Sequence, residues 1–196
     1  MVNRIVKSIV AVLAIILPAM TASLAKPASP VADPLYEMVE GLIDQNGRPI
    51  NVGRFAGRFV LVNFIFTGCG TSCPTQTAEL ARFHNSLPPS LRSRVTVLSI
   101  SVDPGNDKPA RLQAFARAHR ADPKLWTFAT GRPDRIMRVV RKFVALRPQD
   151  DSSALHTTEV RLFDTRHRMI QRYSGVPLAA RQIRADIDAL VELARR

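Results

Sequence analysis

Apolar residues along this chain fall into two patterns. At 59–66, 95–102, 125–129, 158–163 and 169–173 they form short runs rich in Val, Ile, Leu and aromatic residues, which predicts strands. Between these runs, at 75–87, 108–119, 133–145 and 178–196, they recur every three or four positions. Leu80, Phe83 and Leu87 share one stripe, Leu112, Phe115 and Ala116 another, Ile136, Val139 and Val140 a third, and Ile183, Ile187, Leu190 and Val191 a fourth. Such stripes predict amphipathic helices. Pro74 suits the first turn of the first helix, and Pro88-Pro89 stops it. Asn46-Gly47 predicts a hairpin between two short extended pieces within 42–50, and 164–167 folds the last two strands against each other.

The order is strand, helix, strand, helix, strand, helix, hairpin, helix. Helices between strands imply parallel pairing, and the late hairpin adds an antiparallel edge. This is the arrangement of a thioredoxin-like α/β sandwich, a central mixed sheet flanked by helices, with no internal repeat. Residues 36–196 are assigned to that domain. Ahead of it, Arg4 and Lys7 precede the apolar run 9–17, then Pro18 and the small-x-Ala site Ser23-Leu24-Ala25. Residues 1–25 therefore read as a secretory signal, cleaved after Ala25 or retained as a membrane anchor. Residues 26–35, with their repeated Pro, Ala and Ser, read as a linker. Either way the folded part lies outside the cytoplasm.

Lys and Arg number 28 against 16 Asp and Glu, a formal charge of +12. The excess is spread over the whole chain and lacks a zinc-finger spacing or phosphate-cradling glycine loop, which argues against a nucleic-acid partner. A solvated basic surface, attracted to an anionic bilayer or an acidic protein, fits better.

The chemistry is concentrated in Phe64-Ile65-Phe66-Thr67-Gly68-Cys69-Gly70-Thr71-Ser72-Cys73-Pro74, where a strand runs into a glycine-rich turn and then a helix. These are the only two cysteines, too few for a disulfide scaffold, so the pair reads as chemistry rather than as a staple. The turn lies at the carboxyl end of a parallel strand, where open α/β sheets place ligands, and the helix start favours thiolate. C-x-x-x-C suits metal or redox chemistry without choosing between them. His156, after a polar loop and just before the last hairpin, is placed to overhang the turn in this fold. Two thiolates and one imidazole would make a trigonal soft site for Cu(I), able to relax toward Cu(II) with an added ligand. Asp103, at the end of the second parallel strand, is expected to cap the next helix or to orient a neighbouring ligand. His84, His119 and His167 read as structural, and Met38, Met137 and Met169 as packing residues.

With Ser101-Val102-Asp103-Pro104, Trp126, His156-Thr157-Thr158 and Phe163-Asp164 in the same order, the motif resembles the SCO/SenC family of copper-binding, thioredoxin-like proteins across roughly 36 to 195. The resemblance implies copper held by Cys69, Cys73 and His156, with Asp103 near the site. It also implies delivery of copper to an acceptor such as the copper centre of cytochrome c oxidase, a thiol reductant protein as second partner, and a carrier rather than an enzyme. Many members carry His, Pro and Asp around the motif where this chain has Gly68, Gly70 and Thr71, so the ligands survive and their neighbours do not. The alternative is a thiol-disulfide oxidoreductase using Cys69 and Cys73. Against it stand the three intervening residues and Leu155-His156-Thr157, where such enzymes usually place a proline. The proline that precedes a peroxiredoxin cysteine is also missing.

Overall fold

A computed structural model describes residues 33–143 and 158–195. The signal or anchor assigned to 1–25 and His156 lie outside the described residues. Six strands form one mixed sheet in the order β1-β4-β3-β2-β5-β6. They are β1 (Leu42–Asp44), β2 (Phe59–Ile65), β3 (Val95–Ser101), β4 (Trp126–Gly131), β5 (Glu159–Phe163) and β6 (Met169–Ser174). β2, β3 and β4 run parallel, while β1 on β4, β5 on β2 and β6 on β5 are antiparallel. The expected α/β sandwich with its antiparallel late hairpin is thus the observed one.

Strand β2 is buried at all seven positions, as its unbroken apolar run predicts for a strand covered on both faces. Phe59, Leu61 and Ile65 join one core with α2 (Ser72–Ser86), α4 (Pro109–Ala118) and α6 (Ala180–Leu193). Val60, Val62 and Phe64 join the other with α1 (Pro34–Val39) and α5 (Pro133–Phe143). Period-two alternation splits one strand between two cores. Both cysteines belong to the first.

Three expectations change. The linker ends earlier than residue 35: Asp33 accepts the N–H groups of Leu35 and Tyr36 (3.0 and 2.9 Å), Pro34 opens α1, and Leu35 is fully buried. The Asp-Pro pair was a cap signal in plain view. The Asn46-Gly47 turn forms, with Gly47 in the left-handed region, but the returning piece is a single bridge rather than a strand: Pro49 lies opposite Ile43, flanked by the Asp44 N–H on the Arg48 carbonyl (2.8 Å) and the Ile50 N–H on the Leu42 carbonyl (3.0 Å). Pro89 does not merely stop α2; it opens a further turn, α3 (Pro89–Arg92).

The one polar residue of β2, Asn63, is fully buried and anchors a chain of hydrogen bonds through the first core. Trp126 Nε1 donates to Ser99 Oγ (2.9 Å), which donates to Asn63 Oδ1 (2.7 Å). Asn63 Nδ2 donates to Gln76 Oε1 (2.7 Å), and Gln76 Nε2 donates to the Thr158 carbonyl (2.6 Å). Three strands, helix α2 and the start of β5 are joined in one line. Gly175 lies against its end, where a methyl group would overlap both the Thr158 carbonyl and the Gln76 amide. Gly175→Ala should therefore destabilise the fold by about 2–3 kcal/mol, as overpacking does. Gly70→Ala, with open space around the site of its methyl, should stay within about 0.5 kcal/mol. Denaturant unfolding of both variants measures the difference.

Candidate functional site

Between β2 and α2 the chain makes the turn that carries Cys69. A carboxylate absent from the sequence-based expectations holds it in place. Asp107 is fully buried and accepts the Thr67 N–H (3.0 Å), the Thr67 hydroxyl (2.5 Å) and the Ser101 hydroxyl (2.6 Å). Arg111 completes the cluster, donating to the Thr67 hydroxyl at 2.6 Å with its guanidinium 3.9 Å from Asp107. A buried carboxylate persists only when its lone pairs are met, so these bonds fix both the turn and the end of β3. No motif marked Asp107; its role depends on the loop after β3 folding back on β2.

Asp103 sits in that same loop. Its carboxylate accepts from the Asn106 side chain (3.2 and 2.9 Å) and backbone (3.3 Å), and its N–H donates to Ser101 Oγ (3.1 Å). It closes the 103–107 turn. Helix α4 begins later, with Lys108 at its N-cap and no side-chain cap, so Asp103 does not cap it. Among the described residues Asp103 makes no bond to either cysteine.

Helix α2 starts at Ser72, three residues before the first position predicted, and Cys73 falls in its first turn. Thr71 occupies the N-cap without a side-chain hydrogen bond. Cys69 sulfur takes over that function, accepting the Cys73 N–H at 3.4 Å, with the Ser72 hydroxyl also 3.4 Å away. Both thiols are free, and 8% of each residue's surface is exposed.

The two sulfurs differ sharply in acidity. Burial works against ionisation of Cys69. Hydrogen bonds from the Ser72 hydroxyl, the Cys73 and Thr71 N–H groups and the Cys73 thiol outweigh it, lowering the pKa to about 6. Cys73 is pushed up to about 12, chiefly by burial and then by the neighbouring Cys69 sulfur, against a lowering contribution from the Phe66 N–H. At neutral pH the pair carries one thiolate and one thiol. That thiolate is a soft metal ligand and a nucleophile, with a second sulfur within reach to complete either role.

The remaining candidates divide clearly. His84 is buried with Nε2 3.0 Å from the Val95 carbonyl, and burial lowers its pKa. His119 rests on the Phe115 ring, centroids 4.4 Å apart. His167 occupies the hairpin turn in the left-handed region, 2.9 Å from Asp33. All three are structural, as expected. Met38 is in the core, whereas Met137 and Met169 are exposed at 38% and 45% and do not pack as expected. Among the described residues no three His, Cys, Asp or Glu side chains are grouped as a metal site. Two residues beyond His156, Thr158 is tied by its carbonyl to Gln76, one helical turn after Cys73.

A family model described as SCO1/SenC matches residues 40–192. A SCO1 protein homolog of Bacillus subtilis is 30% identical over 152 residues, 74% of this chain and 78% of that protein. A SCO1/SenC family lipoprotein from Bacillus anthracis has a similar structure, with a TM-score of 0.68 and 27% identity over 76% of this chain and 91% of that one. BsSco, described as a member of the Sco family of cytochrome c oxidase assembly proteins with a disulfide switch, gives 0.62 and 28% over 75% and 88%. Copper-bound yeast Sco1 shares the fold at 0.61 and 21%, over 75% and 85%.

Thiolate absorbance of the reduced protein should titrate in two separated steps, the first near pH 6 from Cys69 and the second near 12 from Cys73. Cys69→Ala should abolish the first step. Ser72→Ala should move it up by about one to two units, the worth of one hydrogen bond to a charged group.

Proposed function

The chain belongs to the SCO1/SenC family, and on that premise we propose that it is an extracytoplasmic copper carrier whose ligands are Cys69, Cys73 and His156. The observation that carries this reading is the pair of free, nearly buried sulfurs at the carboxyl end of β2, with the Cys69 sulfur accepting the Cys73 N–H at the start of α2. A thiolate and a thiol that loses its proton on binding, joined by one imidazole, form a donor set for Cu(I). Copper is cargo in this scheme, not a resident cofactor, and the protein is no enzyme in the turnover sense. The metal leaves by ligand exchange to an acceptor such as the copper centre of a cytochrome c oxidase subunit. Oxidation of Cys69 and Cys73 to a disulfide empties the site, and a thiol reductant protein restores it. The chain works in the periplasm, free or held to the membrane by its amino-terminal segment.

The acidity difference favours a second reading, thiol-disulfide exchange. The Cys69 thiolate attacks one sulfur of a partner's disulfide, forming a mixed disulfide and releasing a partner thiolate. Cys73, losing its proton, then attacks Cys69, closing the intramolecular disulfide and freeing the second partner thiol, so that two electrons pass to the partner.

Anaerobic Cu(I) titration of the reduced full chain against a competing chelator separates the two. One copper per chain is expected, with Cys69→Ala, Cys73→Ala and His156→Ala each weakening binding by more than about 100-fold, the upper end of what losing a mere supporting partner costs. Weak copper binding indifferent to His156→Ala, with disulfide reduction intact, would replace the carrier by the exchange reading.

A further inference from the structure

At the end of the sheet remote from the cysteines lies a cavity of about 260 Å³, lined by Phe59, Arg94, the hairpin turn between β5 and β6, and the last residues of α6. Phe59 opens β2 and its N–H donates to the Arg94 carbonyl (2.8 Å). The antiparallel register Val60 to Phe163 brings the hairpin turn beside it. Cys69 follows the opposite end of β2, about 20 Å away along a seven-residue strand. The domain therefore has two poles, one carrying sulfur and one carrying arginine.

The arginine pole holds uncompensated charge. The carboxylate that lines the cavity, Asp164, is fully engaged: Oδ1 accepts the N–H groups of Arg166 and Arg168, both at 2.9 Å, and Oδ2 is bound by the Arg168 guanidinium at 2.8 and 2.7 Å. Arg168 is thereby neutralised. Arg94 and Arg166 line the same cavity, are exposed, and have no carboxylate partner among the described residues. The Arg94 guanidinium is 5.8 Å from the Phe59 ring centroid. On the rim stands Leu193, 68% exposed. Two guanidiniums and the Thr165 hydroxyl around a concavity suit a phosphodiester oxygen set, and a bare leucine beside them suits the apolar layer beneath headgroups. A soluble acidic protein would match the charge but not the leucine.

The point at which the chain enters the domain favours the same partner. Asp33, the N-cap of α1, also bonds His167 in the hairpin turn (2.9 Å). Residue 33 is thus fixed at the arginine pole, and the sequence immediately before it leads back to the apolar run 9–17. Fifteen residues separate that run from Asp33 and span at most about 50 Å when extended, so a bilayer holding the run would stay within reach of this pole.

We propose that the arginine pole docks on anionic phospholipid, with headgroup phosphodiesters in the cavity formed by Arg94, Thr165 and Arg166 and with Leu193 inserted among them. The sulfur pole then faces away from the membrane. This inference is independent of the copper reading.

The test is amide hydrogen exchange on the full chain in nanodiscs of zwitterionic phosphatidylcholine, with and without phosphatidylglycerol. Phosphatidylglycerol should slow exchange at 164–168 and 92–94 and leave 67–73 unchanged. Added salt should reverse that protection. Arg94→Glu with Arg166→Glu should abolish it without shifting thermal unfolding; should that double variant unfold, Arg94→Gln with Arg166→Gln carries the same expectation. The proposal fails if exchange is the same in both discs, if protection survives the substitutions, or if it appears at the cysteine turn. It also fails if inorganic phosphate or poly-glutamate in solution reproduces the protection, which would mean a free-anion site or a protein-docking site.

Discussion

Helix α2 is held to the sheet by the line of hydrogen bonds from Trp126 through Ser99, Asn63 and Gln76 to Thr158. Apolar packing alone leaves a helix free to slide or rotate slightly against a sheet, because dispersion contacts are non-directional and each is small. A buried amide pair has no such freedom. Asn63 and Gln76 are almost wholly withdrawn from water, and any displacement that breaks one bond strands a polar group at a cost of about 1–3 kcal/mol. Cys73 lies one turn before Gln76 on the same helix, so the position of its sulfur inherits this precision. The same line ends on the carbonyl of Thr158, which ties the start of β5 to the helix bearing the cysteine.

The difference in acidity between the two cysteines follows from that placement. The helix start offers N–H groups that need an acceptor, Thr71 supplies none, and the sulfur of Cys69 accepts instead. Cys73, drawn into the first turn, is held in its protonated form by desolvation and by its hydrogen bond to the Cys69 sulfur. One buried carboxylate on the next loop, Asp107, keeps the intervening turn rigid enough for the difference to persist. Copper binding and disulfide exchange both need an ionised first sulfur and a protonated second one that can be recruited, so a single geometry serves either chemistry.

Much of this was legible from residue patterns. The strand and helix order, the exposure of both sheet faces to apolar partners, and the cysteine turn at the end of β2 follow from periodicity and from glycine and proline placement. The helix α1 was also legible in Asp33-Pro34 but was obscured by the Pro-rich stretch before it. Asp107 and Gln76 were not legible. Each is an ordinary polar residue in a loop or on a helix, and each acquires its role from a partner distant in sequence: Thr67 lies 40 residues from Asp107, and Thr158 lies 82 from Gln76. Arg161 is a similar case. Alternation in β5 suggests an arginine at the surface, yet it is buried at 1% exposure, bonded to the Phe143 carbonyl and Glu159 and set against the Phe64 ring.

The sequence by itself determined which elements form and which side chains carry reactive chemistry, because periodicity, caps and sulfur are local properties of the chain. Only the tertiary structure decided how that chemistry is tuned and oriented. The acidity of Cys69 depends on burial and on hydrogen bonds whose geometry exists only once α2 is docked. The separation of a sulfur pole from an arginine pole depends on the antiparallel register of β5 with β2. Both are sums over contacts between segments far apart in the chain, and no local pattern encodes such a sum.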